Sequence, residues 1–350
     1  MTINRLSHDR LDRLIQSAVD RKRIFGAVLS VESGDKRFAW TGAGGYMRPD
    51  SRFYIASTTK LFVTASVLKL RELKQADLND PISRYLEEDI LSGLHRYQGI
   101  EYSRGITVGQ LMAQTSGLPD YFQHKRDNGK SLMQEIVAGN DRAWSFGQVI
   151  EDAKRMKPHF PPGRKGKALY SDTNYQLLGK IIENIANQPL NDVFERLIYE
   201  PLGLSDTYLY ADSRDRSPAP FYYKAAPLHT PLAMASFGPD GAIVSTSGEL
   251  MRFVRAFFEG ELFPKAYLNE LYVWNKIFFP LQYGVGMMRF KLPAALSPFR
   301  PVPELLGHSG ISGAFAYYCP KKDVFLTGTV NQTSNPGLPY KLMVRVLNLT

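Results

Sequence analysis

Strand-like segments crowd the two ends of this chain and are nearly missing from its middle, and that distribution limits the folds open to it. Phe25-Gly26-Ala27-Val28-Leu29-Ser30-Val31 is a short apolar run of the length a buried strand takes. Ser33-Gly34-Asp35 supplies turn residues, and Arg37-Phe38-Ala39-Trp40 reads as the returning strand of a hairpin. Near the other terminus Tyr283 to Phe290 alternates, Gly313 to Tyr318 alternates, and Val324 to Val330 follows a Lys321-Lys322-Asp323 turn. Helical spacing frames these strands: Leu11, Leu14, Ile15 and Val19 recur within residues 8 to 22, and residues 338 to 348 are amphipathic. From Thr58 to about residue 235 the periodicity is helical, beginning with a long apolar helix to Leu73 and punctuated by Pro and Gly. Strands drawn from both ends of a chain meet in one sheet, so the expected class is α+β: a sheet domain from residues 1–75 and 236–350, with a mainly helical domain, 76–235, inserted.

A chain of 350 residues, 44% of them hydrophobic, has the material for such a core. Charge is its unusual property: 43 Lys and Arg against 34 Asp and Glu leave +9, a balance that suits nucleic acid, an anionic membrane surface or an anionic substrate. Only Arg21-Lys22-Arg23 and Arg164-Lys165-Gly166-Lys167 are clustered, with no recognised motif beside them, so nucleic acid is not an expected partner. No run of about 18 apolar residues is present to span a bilayer, and the first 23 residues lack the apolar stretch of a signal peptide, which points to the cytoplasm. The single cysteine, Cys319, excludes an intramolecular disulfide and fits a buried strand position.

Three stretches carry candidate chemistry. In Ser57-Thr58-Thr59-Lys60 one helical turn separates a hydroxyl from an amine, which puts both on one face. A lysine whose pKa is lowered by a dry pocket can act as the base that activates such a serine, and the helix N-terminus offers N–H groups to an oxyanion. Tyr170-Ser171-Asp172 follows Phe160-Pro161-Pro162-Gly163 and precedes an apolar helix; a tyrosine among lysines can shuttle a proton. Gly307-His308-Ser309-Gly310 introduces a strand-like run. Each stretch alone has an ordinary reading, as a helix cap, a loop tyrosine and a structural histidine. Other catalytic patterns are missing: there is no Gly-x-Ser-x-Gly elbow, the six histidines have no zinc-ligand spacing, and neither Gly42-Ala43-Gly44-Gly45 nor the 163–167 stretch is a nucleotide loop. No metal or cofactor is expected.

Taken in order, the three stretches resemble the motifs of the serine β-lactamase and penicillin-binding protein superfamily, closest to class C β-lactamases, D-alanyl-D-alanine carboxypeptidases and related esterases. Further family-like segments are Leu111 to Pro119, Asp240 to Thr246 and Tyr283-Gly284-Val285-Gly286. The resemblance implies a β-lactamase/transpeptidase-like fold, a central antiparallel sheet flanked by helices, with the site in the cleft beside the helical insertion. It implies Ser57 as nucleophile, Lys60 and Tyr170 sharing the proton transfers, and backbone N–H groups of Ser57 and Ile311 as the oxyanion hole. His308 would tune Tyr170, while Asp172, Ser309 and Gly310 would belong to the substrate network. Asp172 stands where the family usually has Asn, so an acceptor replaces a group that also donates; it either raises the Lys60 pKa or helps hold the proton network. Ile311 stands where carboxypeptidases and β-lactamases often present a hydroxyl.

The implied activity is hydrolysis of an ester or amide through an acyl-enzyme, by an esterase or a D-stereospecific amidase or peptidase. A β-lactamase or D-alanyl-D-alanine carboxypeptidase is the alternative enzyme, and a non-catalytic scaffold the alternative class. The expected partner is a small ester, amide or peptide. Tyr54, Tyr121, Phe122 and Tyr222 are candidate pocket walls, and Arg164, Lys165 and Lys167 candidates for the mouth of the site.

Overall fold

A computed structural model of the chain describes residues 6–296 and 301–350. Helix α1 (His8–Ala18) starts at Ser7, whose hydroxyl accepts the Arg10 N–H, and buries Leu11, Leu14, Ile15 and Ala18. It ends before the predicted residue 22 because Asp20 takes the N–H groups of Lys22, Arg23 and Ile24 at 3.0, 2.7 and 3.0 Å, a local turn that competes with further helix. Strands β1 (Gly26–Ser33) and β2 (Ala39–Gly45) form the predicted hairpin, with β2 running further than Trp40. A Cβ at Gly44 would lie 3.2 Å from the Ile15 carbonyl oxygen, so the glycines of β2 let α1 pack against that strand.

The short strand β3 (Phe53–Tyr54) leads to α2 (Thr59–Glu72), and α3 (Asp172–Ala186), β4 (Tyr208–Leu209), β5 (Ile243–Ser245) and α4 (Ser247–Glu259) follow. Antiparallel pairing makes β3, β5 and β4 a small sheet of that order. The last third supplies β6 (Asn275–Phe278), β7 (Leu281–Tyr283), β8 (Met288–Phe290), β9 (Leu305–Ser309), β10 (Ala314–Cys319), β11 (Val324–Thr329) and helix α5 (Leu338–Leu347). The main sheet runs β6-β7-β8-β9-β10-β11-β1-β2, antiparallel throughout, and joins the two ends of the chain where Val28 faces Thr329 and Ser33 faces Val324.

The segment read as one alternating strand, Tyr283 to Phe290, is two strands. Gly286 turns between them with φ of 85°, and its carbonyl accepts the Thr64 hydroxyl at 2.9 Å, which docks the turn on α2. One face of the sheet takes α4, where Arg255 donates to the Ser33 and Gly34 carbonyls at 2.8 and 2.9 Å. Helix α5 brings Tyr340 over Phe290, ring centroids 4.7 Å apart.

Residues 76–235 are mainly helical, with two short hairpins, Arg96–Tyr97 with Ile100–Glu101 and Phe221–Tyr223 with Ala226–Leu228. One continuous apolar core extends from the main sheet through α2 to α3. Helix α2 is buried on nearly every side, with Phe62 stacked on Phe253 at 3.6 Å, as befits a helix between a sheet and a second helical layer. Cys319 is buried in β10. Among the described residues no helix is long and apolar enough to cross a membrane.

Candidate active site

Ser57 lies in the tight turn between β3 and α2. Ala56 before it has φ of 47°, a costly conformation for an L-residue, and the surroundings hold it there. The Ile55 N–H reaches the Ile243 carbonyl at 2.9 Å, and the Ile243 N–H reaches the Thr59 hydroxyl at 3.1 Å. Gly310 abuts the same turn: a Cβ there would lie 2.3 Å from the Ile55 oxygen. Helical spacing then brings Lys60 Nζ to 3.1 Å from Ser57 Oγ. Among the described residues neither the Ser57 nor the Ile311 N–H is given to a protein acceptor, and both residues line one cavity.

Lys60 is fully buried, 2.7 Å from Asp172 Oδ1 and 2.6 Å from the Asp240 carbonyl oxygen. Burial acts to lower its pKa, but Asp172, then Tyr170 and Asp240, outweigh it, so Lys60 is held above the ordinary lysine value. The expectation of a lysine tuned down into a neutral base is therefore corrected: with a carboxylate in contact, its resting form is the ammonium. Tyr170 lies beside Ser57 and Lys60; burial raises its pKa, against the pull of Lys60, so the resting group is a phenol. Nζ lies 5.2 Å from the Tyr170 ring centre.

His308 is completely buried on β9. Its Nδ1 is 2.9 Å from the Ser309 carbonyl, which only accepts, so Nδ1 carries the proton and Nε2 faces the Tyr283 hydroxyl at 3.1 Å. Burial, then the Lys60 charge, pushes it down to about 3, which keeps the imidazole neutral. No hydrogen bond joins His308 to Tyr170 among the described residues; their ring centroids lie 6.4 Å apart, and Tyr283, 5.7 Å from both rings, lies beside each of them.

Two further expectations change. Ser309 points to the opposite face of β9, where its hydroxyl meets Tyr340 at 2.5 Å. Gly310 gives its N–H to the Ala314 carbonyl, packs closely against the Ser57 turn and does not line the cavity beside Ser57. Ser312 lines the cavity in their place, its hydroxyl donated to the Tyr54 carbonyl at 2.7 Å.

The cavity beside Ser57, with about 50 Å³ of water-accessible space, lies between Phe122, Phe221, Met234, Phe237 and Ile311, with Asp172 and Asp240 also in its wall. Of the four proposed wall residues only Phe122 lines it. Tyr54 packs against Tyr210 and Phe221, Tyr121 donates to Asp240 at 2.9 Å, and Tyr222 stacks on Phe25. Arg164, Lys165 and Lys167 are exposed on a turn and do not line it.

Sequence reasoning assigned no role to three residues. Asp240 accepts from Tyr121 and from Gln176 at 3.0 Å, and burial and then Asp172 push its carboxyl well above the usual range. Asp120 receives the Phe122 and Gln123 N–H groups at 2.8 and 3.1 Å and is pushed up to about 8, by burial first and then Asp172. Gln114 straddles Tyr170: its carbonyl takes the Leu169 N–H and its side-chain oxygen the Ser171 N–H, both at 2.9 Å. Asp240 and Gln114 lie in family-like stretches, which was their only signal.

The sequence profile of the family described as Beta-lactamase matches residues 11–347. Protein flp of Staphylococcus aureus (strain NCTC 8325 / PS 47) is 27% identical over 208 residues, 57% of this chain and 38% of that protein. The D-alanyl-D-alanine-carboxypeptidase/endopeptidase AmpH of Escherichia coli (strain K12) is 28% identical over 250 residues, 69% of this chain and 59% of that protein. The chain thus matches only part of the length of these curated relatives. The crystal structure of a D-stereospecific amidohydrolase from Streptomyces sp. superposes with a TM-score of 0.76 at 27% identity, over 96% of this chain and 98% of that one. With its α+β architecture and its Ser57-x-x-Lys60 turn, the chain belongs to the β-lactamase family, in its class C-like branch.

Proposed function

We propose that this protein is a serine hydrolase that cleaves a small ester or amide through an acyl-enzyme on Ser57, as an esterase or D-stereospecific amidase. The observation that carries this reading is the cavity wall: Phe122, Phe221, Met234, Phe237 and Ile311 surround the space beside Ser57, and among the described residues no Lys, Arg or His lines it. A β-lactam or a D-alanyl-D-alanine terminus presents a carboxylate, and such a group is poorly served by a wall without a cation. Likeness to a D-stereospecific amidohydrolase supports the amide alternative.

In the proposed cycle Ser57 Oγ attacks the carbonyl while its proton passes to the Tyr170 oxygen and the phenol's own proton passes to the leaving group, so Tyr170 begins and ends the step as a phenol. The Lys60 ammonium, in contact with Ser57 and near the Tyr170 ring, stays charged and stabilises the negative charge that develops on the Ser57 and Tyr170 oxygens as the protons move. The two uncommitted N–H groups, on Ser57 and Ile311, receive the oxyanion. Water then attacks the acyl-enzyme by the reverse proton path. Retention of all these groups in contact argues against a non-catalytic scaffold.

A panel of p-nitrophenyl esters, D- and L-amino-acid amides and nitrocefin, run on wild type and Ser57→Ala, tests the reading. Ser57-dependent turnover of esters or amides, with nitrocefin far slower, is the expected result. Nitrocefin hydrolysis rivalling the best ester would favour the β-lactamase alternative.

A further inference from the structure

Tyr170 lies beside Ser57 and Lys60 but does not line the cavity between Phe122 and Ile311. Two rings of the β6–β7 hairpin meet it instead. Tyr283 packs edge to face at 5.7 Å between centroids and Phe278 at 6.3 Å, with interplanar angles of 72° and 68°. Tyr283 is completely buried, whereas Phe278 is 52% exposed and Phe279, in the turn beyond it, 72% exposed. A bulge gives Phe278 this position. Tyr283 stands opposite Asn275, but the register shifts between Lys276 and Phe278, so Phe278 and not Ile277 stands opposite Leu281, on the face where Tyr283 meets Tyr170. Two adjoining exposed aromatic side chains beside a reactive tyrosine are a contact surface for something that arrives there.

We propose that Phe278, with Phe279, is the wall that receives the leaving group, and that the substrate carries an apolar, ring-bearing one: an aryl or arylalkyl alcohol or amine. The inference rests on the reading of the protein as an ester or amide hydrolase and names the group it releases. In the acylation step the bond from the acyl carbon to Ser57 Oγ forms and the bond to the leaving oxygen or nitrogen breaks. The Ser57 proton passes to the Tyr170 oxygen and the phenol proton to the leaving atom, which departs as a neutral alcohol or amine. That atom therefore lies within hydrogen-bond reach of the Tyr170 oxygen. The oxyanion meanwhile faces the Ser57 and Ile311 N–H groups, and the acyl substituent faces the cavity those residues line. What is attached to the leaving atom extends along Tyr170, where Phe278 stands. A ring there covers apolar surface that is otherwise in water, while ammonia or a zwitterionic amino acid covers none of it.

Phenyl and 2-naphthyl acetates share an acyl group and release phenols of similar acidity, so the ratio of their kcat/KM values reads the leaving-group wall. The expected result is a preference of wild type for the naphthyl ester of at least about fivefold, the scale of burying the added ring. Phe278→Ala brings the ratio toward one through KM, Phe278→Leu keeps most of it, and the p-nitrophenyl butyrate to acetate ratio, which reads the acyl side, does not move. A ratio near one in wild type, or one unmoved by Phe278→Ala, overturns the proposal. An equal loss on both esters overturns it as well, because Phe278 then only props Tyr170. Calorimetric titration of Ser57→Ala with 2-naphthol and phenol, with and without Phe278→Ala, reads the same wall without chemistry. Tighter naphthol binding that Phe278→Ala abolishes, with no Ser57-dependent hydrolysis of any ester or amide, keeps the ring-binding wall and removes the hydrolase reading. Ser57-dependent hydrolysis with a ratio indifferent to Phe278 keeps the hydrolase reading and removes the wall. A sedimentation coefficient that rises with concentration in wild type and not in Phe278→Ala gives the surface to a second copy of the chain and overturns the proposal.

Discussion

Replacing Asp172 with Asn asks what keeps Lys60 charged. The ammonium is fully buried and 2.7 Å from Asp172 Oδ1; at an effective dielectric near 20 that contact amounts to roughly 6 kcal/mol of attraction before desolvation is subtracted. Removing one partner of a buried pair costs about 3–5 kcal/mol. In the wild type Lys60 titrates above its unfolded value, so its contribution is fully present below the ordinary lysine pKa and is lost only as pH rises through the higher folded value. Across neutral pH it is constant. In Asp172→Asn burial meets weaker opposition and the folded lysine value falls below the unfolded one. The unfolded chain then binds more protons over the interval between them, so the variant loses stability as pH falls. Urea unfolding followed by tryptophan fluorescence is expected to show a loss of about 3–5 kcal/mol at pH 6, shrinking toward pH 10. A loss that does not change with pH, or none at all, would refute the assignment of Asp172 as the group that holds Lys60 protonated.

Gln114→Ala strips an acceptor from the Ser171 N–H and the Asn174 amide. It is expected to lower kcat by about ten- to a hundredfold, through displacement of Tyr170, with a smaller effect on KM, in a steady-state assay. Gly310→Ala places a Cβ 2.3 Å from the Ile55 oxygen; the Ser57 turn shifts to relieve it, and fluorophosphonate labelling of Ser57 slows by at least about tenfold while the circular dichroism spectrum is kept. Neutralising Arg164, Lys165 and Lys167 together leaves KM for an anionic ester within about twofold, because exposed charges away from the cavity are screened.

Ser57 and Lys60 were legible because one turn of helix fixes their separation, whatever surrounds it. The joining of the two chain ends in one sheet was legible too, since β1, β10 and β11 are apolar runs of strand length. Pairwise facts that depend on distant segments were not. Asp172 and Asp240 come from two separate stretches, and their convergence with Tyr170 sets the charge of Lys60. The expected returning strand stopped at Trp40 because glycine is a poor strand former, yet Gly42 to Gly45 belong to β2, and the space they leave under α1 is what that strand needs. The break between β7 and β8 was hidden because Gly284 and Gly286 fit an alternating pattern as well as a turn. Ser309 is a different case. Strand alternation places neighbours on opposite faces, so once His308 faces inward toward Tyr283, Ser309 faces α5.

The central claim is that Ser57 forms the acyl-enzyme. Intact mass spectrometry after rapid acid quench of wild type with an activated p-nitrophenyl ester, followed by peptide mapping, tests it most directly. The account predicts a protein mass raised by one acyl group, mapped to Ser57 and absent from Ser57→Ala. An adduct on another residue, or full turnover by Ser57→Ala, would contradict it.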